Sequence, residues 1–542
     1  MSESPGSLLN GQESPVATLL DGASVQAPNK AAELPSSPTV IVEGDPSVIP
    51  SEHPYRTLVL WQVVSSHRSG FSRILKLEFS VLTELAISSM KTCNSNIVQL
   101  FTLLKKDNRD VQMVYYQAGI GTYTSPNIAT PLMATVSKTL DEMVAWNMDR
   151  HVMDGYEFLM QNYKAEDRIC IFGFSRGAYT ARALAGMIHK MGMLPACNHQ
   201  QVPFAYKMFK RADETGWKQS NAFKKAFSVD VDIEFIGVWD TVNSVGLIPR
   251  RLPFTTSNTI VRTFRHAIAL DEHRAKFKAN HWNRPNNKEQ TLSTSDHHRK
   301  AHNKHHHTDP RLKALERKYS KDRTRQTDIE EVWFAGCHCD IGGGSVPNDT
   351  QHSLARIPLR WMIRECFKTH TGIMFDCAGL QALGLDPGTL YPEVLPRPPI
   401  SSPNTTLRIQ DIPRPGCGPR DDTQLPGFAD VEYSALHKSE EDHDMLDLLS
   451  PIYDQLSLAL YWWVLEILPM KHRHQNPDNS WVSHIGFNLG AGRIIPKQKR
   501  GVKVHRSVKM RMEALHSNDT KYVPKVYKFE DIVRDGKVQW VD

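Results

Sequence analysis

Apolar positions along the chain fall into short runs separated by polar loops, and their period changes from place to place. Val111–Tyr116 (VQMVYY), Arg168–Phe172 (RICIF), Ile233–Trp239 (IEFIGVW) and Glu331–Ala335 (EVWFA) are β-prone runs too short for helices, so each is predicted as a strand. Between them the period becomes helical. Met148, Val152, Tyr156, Leu159 and Tyr163 recur at spacings of four, four, three and four, which puts them on one face of a helix ending near Asp167. Ala178–Met191 reads as a helix of small residues able to pack close to a sheet, and Leu354–Phe367 as a further helix. Strands alternating with helices predict an α/β fold with a mostly parallel sheet flanked by helices.

Elsewhere the pattern lapses. Residues 1–53 are rich in Ser, Pro and Gly with no sustained period, and they are expected to be a disordered N-terminal arm. Residues 54–375 carry the strand–helix rhythm and are expected to form the catalytic domain. Within them, 61–93 has no turn or motif logic that matches its flanks, and 280–328 is a polar, His-rich surface insertion. Its histidines (His297, His298, His302, His305, His306, His307) lack the ordered spacing and acidic or thiolate partners of a metal site. Residues 376–542 are expected to be an irregular C-terminal extension with a Pro-rich loop, an apolar helix and a basic region.

That apolar helix is predicted over Leu456–Leu468, with Leu456, Leu460, Trp463 and Ile467 in one stripe. Two readings stand: a core or lid helix, or an interfacial helix in peripheral membrane contact, assisted by Lys497, Lys499, Arg500, Lys503, Arg506 and Lys509. The segment is shorter than the ~20 residues of a transmembrane span, and Glu466 interrupts it.

The 542 residues, 40% apolar and 23% charged, have ordinary globular composition. A net charge of +6 without an aromatic-interleaved basic stripe gives no reason to expect nucleic acid as a partner. Eight irregularly spaced cysteines form no C-x-x-C sets, and the first residues lack the apolar run of a secretory signal. A reduced, cytoplasmic location is expected.

The candidate chemistry centres on Gly173-Phe174-Ser175-Arg176-Gly177. Bare Gly-x-Ser-x-Gly is weak evidence, but here it lies between an apolar strand and a small-residue helix, the setting of a nucleophile elbow. A serine hydroxyl needs an imidazole to take its proton and a carboxylate to hold that imidazole. Asp240 directly follows one predicted strand, and His338 lies in GCHCDIGGG just after another. As alternatives, Asp240 is a turn-capping aspartate and His338 a packed histidine. His266, His273 and Asp271 form a rival constellation and Asp340 is a rival acid, and spacing does not decide among them. The backbone N–H of Arg176 is the expected oxyanion-hole donor. This chemistry requires no cofactor or metal.

GFSRGAYTARALAG, with VYYQAGIGT, FIGVWDTV, HAIALDEHR and WFAGCHCDIGGG in that company, resembles the α/β-hydrolase family that includes the catalytic domains of type VI secretion phospholipase effectors, and most of all its uncharacterised fungal branch. The resemblance covers roughly residues 54–370. It implies hydrolysis of an ester, in a phospholipid or another lipid or ester substrate, with Ser175, Asp240 and His338 as the catalytic residues. Members of the family open with a strand followed by Asp-Gly-Thr. Here Arg56–Leu60 (RTLVL) stands in the strand's place, but Trp61–Cys93, which reads like translated intron, follows instead. The missing loop supports a second reading, a catalytically silent hydrolase-like binding protein.

Overall fold

A computed structural model describes residues 56–63, 93–117, 133–242, 252–282, 316, 327–399, 408–412, 439–475, 481–496, 501–516 and 518–542. The expected N-terminal arm, nearly all of the 61–93 and 280–328 insertions, and Lys497, Lys499 and Arg500 lie outside the described residues.

The continuous apolar run Arg168–Phe174 forms a strand buried on both faces. Ile169 and Ile171 enter one apolar layer, while Cys170, Phe172 and Phe174 enter the other. Around it β1 (Thr57–Val63), β2 (Gln112–Gln117), β3 (Arg168–Phe174), β4 (Ile233–Trp239), β5 (Val261–Ala269), β6 (Asp328–Phe334), β7 (Val502–His505) and β8 (Val538–Val541) make one eight-stranded sheet. Its order is β8-β7-β6-β5-β4-β3-β1-β2, and every pairing is parallel. β2 is an edge strand with half-buried side chains, because it has a neighbour on one side only.

The chain runs from β1 to the β2 edge and then returns to lay β3 on the other side of β1. Open parallel sheets place their sites at the carboxyl ends of the strands near such a reversal. Helices α1 (Asn96–Thr102), α2 (Met133–Asn162), α3 (Arg176–Met191), α4 (His338–Gly342) and α5 (Arg356–Lys368) pack on the sheet or bridge its strand ends. The expected helical face is present: Met148, Val152, Tyr156 and Leu159 are buried in the apolar layer that also takes up α3. Asn96 ties α1 to the far side of the site, its amide donating to the carbonyls of Ile341 and Ala355 at 2.9 Å each.

Two expectations are corrected. The sheet does not end at residue 375, since β7 and β8 complete it, β7 pairing with β6. Four-residue strands of alternating pattern are too short to stand out from a basic, polar context. The continuous helix over Leu456–Leu468 is also absent. Gln455–Leu458 is a single helical turn, and after Ala459, whose backbone is extended, a 3-10 turn over Leu460–Trp462 runs into a second short helical turn, Trp463–Glu466. Leu456 is buried, but Leu460, Trp463 and Ile467 are exposed, so the stripe is not core. The segment instead turns its one carboxylate inward. Buried Glu466 accepts from the backbone N–H groups of Ala275 (2.7 Å) and Gly490 (3.0 Å) and from the Asn488 amide.

No helix among the described residues is long and apolar enough to cross a membrane.

Candidate active site

β3 ends in a turn that only a particular sequence tolerates. A Cβ at Gly173 would lie 2.6 Å from the Gly177 carbonyl oxygen and 2.7 Å from Ala178 Cα, so glycine is what lets α3 approach the strand end. Ser175, at the start of α3, has φ +60° and ψ −123°, a strained conformation for a residue with a side chain. Its N–H is held by the Trp239 carbonyl at 3.0 Å. The strain lifts the hydroxyl out of the strand line, toward the ends of β4 and β6.

Those two strand ends supply its partners. The Ser175 hydroxyl lies 2.8 Å from His338 Nε2, and His338 Nδ1 lies 2.6 Å from Asp240 Oδ2. In this order Nδ1–H donates to the carboxylate, leaving Nε2 as the acceptor for the serine proton. Asp240 follows β4 with φ +39°, and His338 opens α4 after β6. Ser175 is 2% exposed, and Asp240 and His338 are fully buried.

Burial governs the electrostatics. It pushes the His338 imidazole below its ordinary value, and the hydrogen bond and charge of Asp240 only partly offset this. The shift favours the neutral ring, the form a general base requires. Burial alone would raise the Asp240 carboxyl, but the charge of Arg493 and hydrogen bonds from His338 and Arg493 outweigh it and hold the group far below the usual carboxylate range. The imidazole sits between two rings, Phe174 at 4.7 Å and Phe277, edge-on, at 4.8 Å. Phe277 in turn meets Trp462 edge-on at 5.5 Å, with the Arg274 guanidinium 3.6 Å from the Phe277 centroid.

The rival residues are engaged elsewhere. His266 faces Glu331 at 3.1 Å through Nδ1 and accepts from the Thr241 N–H through Nε2. His273 is held between Asp454 and the Gly490 carbonyl. Asp271 accepts from the N–H groups of Gly336 and Lys525 and from the Tyr522 hydroxyl, and Asp340 accepts from the N–H groups of Cys337 and Tyr453. None of the four hydrogen-bonds to Ser175. Arg176 is the first residue of α3, so its N–H belongs to the helix's positive end. Among the described residues, no group of three or more His, Cys, Asp or Glu is arranged to hold a metal ion.

Sequence reasoning missed Arg493, Phe277 and the Glu272–Arg274 pair. Glu272 accepts two hydrogen bonds from the Arg274 guanidinium and one from the His338 N–H at 3.3 Å. The adjacent opposite charges in DEHR are the one sequence signal for that pair. Nothing in the local sequence marks Arg493.

The chain matches the family described as T6SS, phospholipase effector Tle1-like, catalytic domain over residues 83–365, just over half its length. It is 28% identical to the uncharacterised protein YEL023C of Saccharomyces cerevisiae, over 77% of this chain and 76% of that one. Among solved structures it is similar to an uncharacterised protein from Pseudomonas aeruginosa (16% identity, TM-score 0.31), covering 62% of this chain and 49% of that one. It is also similar to the Tle1 effector bound to the VgrG spike of the type 6 secretion system (18% identity, TM-score 0.25), with 58% and 56% covered. The chain spans about half the length of these two solved proteins.

Proposed function

This chain belongs to the T6SS phospholipase effector Tle1-like catalytic-domain family, and from that premise we propose that it is a serine hydrolase cleaving carboxylic esters of phospholipids through an acyl-enzyme intermediate. The observation that carries the reading is the buried chain of contacts from Ser175 Oγ through His338 to Asp240, at 2.8 and 2.6 Å.

In the proposed reaction His338 Nε2 takes the Ser175 proton while Oγ bonds to the ester carbonyl carbon. The resulting oxyanion accepts from the N–H of Arg176. His338 then passes its proton to the leaving alcohol oxygen as the C–O bond breaks, freeing the lysolipid and leaving the acyl group on Ser175. Water repeats the sequence: His338 takes its proton, the hydroxide oxygen bonds to the acyl carbon, and Ser175 Oγ leaves with the proton. Asp240 stays ionised and stabilises the imidazolium formed at each step.

Lipid contact belongs to the same proposal. Leu458, Leu460, Trp463, Val464 and Ile467 are exposed on the segment that carries Trp462, Leu489 is exposed beside it with its N–H on the Glu466 carbonyl, and Trp462 connects through Phe277 to His338. An apolar surface beside the reacting serine suits peripheral contact with a bilayer. The cytoplasm is the proposed compartment, supported by described cysteines that form no disulfide.

The test is labelling with a fluorophosphonate. The wild type is expected to react and Ser175→Ala not, with phospholipid hydrolysis following the same pattern. A wild type that neither labels nor hydrolyses ester would leave the silent-binding reading.

A further inference from the structure

Arg493 lies 253 positions from Asp240 in sequence, outside the 83–365 span of the family match, yet it is the nearest cation to the acid of the site. Its guanidinium is 2% exposed and forks onto the carboxylate, Nη1 to Oδ1 at 2.5 Å and Nη2 to Oδ2 at 2.8 Å. Its further hydrogen bonds lie beside the site: Nη1 donates to the Ala269 carbonyl at 3.1 Å, and Nε and Nη2 both donate to the Phe277 carbonyl, at 3.0 and 2.5 Å. Phe277 is the residue whose ring lies edge-on to His338. The Arg493 backbone is fixed in turn, its carbonyl accepting from the Tyr527 N–H at 2.9 Å.

This geometry does two things that an ordinary ion pair would not. With Oδ1 held by Arg493 and the Ala269 N–H (3.0 Å), and Oδ2 shared between Arg493 and His338 Nδ1, the carboxylate cannot turn away from the imidazole. A planar two-pronged donor fixes the carboxylate plane, which a lysine ammonium does not. Second, a carboxylate fully removed from water is costly to ionise, and the guanidinium offsets that cost.

We propose that Arg493 is a positioning residue of the reaction, clamping Asp240 ionised and aligned on His338, so that the catalytic unit includes the C-terminal region. The proposal rests on Ser175, His338 and Asp240 acting as set out above. The charged groups facing His338 are Asp240, Glu272 and Arg274, and Arg493 acts on it through Asp240.

The experiment compares wild type, Arg493→Ala, Arg493→Lys and Ser175→Ala by fluorophosphonate labelling rate, kcat and KM on a short-chain ester, pH profile and Tm. Arg493→Ala is expected to lose on the order of 10²–10⁴-fold in kcat with KM within a few-fold, as for a misheld imidazole. Its acidic limb is expected to move to higher pH. If Asp240 stays ionised, its uncompensated charge raises His338; if it protonates, activity waits for it to ionise. Guanidinium chloride, well below denaturing concentration, is expected to restore part of the lost rate in Arg493→Ala and none in Ser175→Ala. Arg493→Lys, which keeps the buried charge, is expected to fold and to fall between the two.

Should Arg493→Ala fail to fold, Arg493→Lys carries the test: a wild-type rate and pH limb in it overturn the proposal. So does an Arg493→Ala variant with unchanged kcat and limb, or one whose loss tracks Tm and resists guanidinium. In each of these cases a labelled wild type leaves the serine-hydrolase reading standing. A wild type that does not label overturns both.

Discussion

The Phe174 ring occupies the space that a side chain at Gly342 would need: a Cβ there would lie 1.9 Å from the ring, and the same ring packs 4.7 Å from the His338 imidazole. A strand residue next to Ser175 and a glycine at the end of α4 thus set the histidine's position together. Gly342→Ala forces the ring toward His338 or the helix away from it. The expected cost is about 1–3 kcal/mol of stability, as for other overpacked cores, together with a drop in kcat larger than the stability loss explains. Denaturant unfolding and ester kinetics on the same preparation check this, and wild-type kcat in a folded Gly342→Ala would refute the coupling.

Ser175 carries both strain and the proposed chemistry, and two substitutions separate them. Ser175→Ala is expected to remain folded and to lose on the order of 10⁴–10⁶-fold in kcat. Ser175→Gly is expected to be equally inactive but more stable than Ser175→Ala by about 1 kcal/mol, because relief at φ +60° exceeds the entropy cost of glycine. Equal unfolding midpoints for the two variants would mean that the turn is not strained.

The elbow was legible because its cause is local: a run buried on both faces, two glycines and small helix residues within about one strand and one helix length. His338 and Asp240 were legible as strand-end residues, though only the fold separates them from His266 and Asp271. β5 is not legible in the sequence because Arg265 and His266 interrupt its apolar run. The structure buries both with acidic partners, Arg265 with Glu365 and His266 with Glu331. Over Leu456–Leu468 the helical period was real but misleading, since burying Glu466 turns the apolar side chains outward. Arg493 was beyond reach: its role depends on a pairing across 253 residues that no periodicity encodes.

The histidine assignment makes a pH prediction. In the proposed reaction the base form of His338 is neutral, so activity is expected to be lost as pH falls through its pKa. Burial lowers that pKa, and Asp240, Glu272 and Arg274 do not cancel the effect. The midpoint of the acidic limb of kcat/KM is therefore expected below 6.5, the ordinary histidine value. A midpoint above 7 would contradict it. His338→Ala is expected to abolish the reaction. His266→Ala is expected to keep the chemistry while losing about 1–3 kcal/mol of stability, because it strips the buried Glu331 of a partner.

The exposed apolar surface makes the last prediction, and its basic neighbours shape it. Lys503 and Arg506, expected from sequence to help hold an anionic membrane, are already paired with Glu330 and Asp542. Apolar contact is expected to contribute to the affinity through Leu460, Trp463, Ile467 and Leu489, which are 76, 40, 57 and 62% exposed. Burying one such side chain in lipid contributes about 1.5–3 kcal/mol, so Leu460→Ser or Leu489→Ser should each weaken vesicle binding about ten-fold or more. Both side chains already face solvent, so Tm is expected to hold, as is hydrolysis of a soluble short-chain ester. Hydrolysis of vesicle phospholipid is expected to fall with binding, while Lys503→Gln leaves binding within about two-fold, as befits a paired surface charge. Co-sedimentation with phospholipid vesicles decides the matter. Binding that ignores Leu460→Ser and Leu489→Ser, or collapses with Lys503→Gln alone, would move the membrane contact to another face.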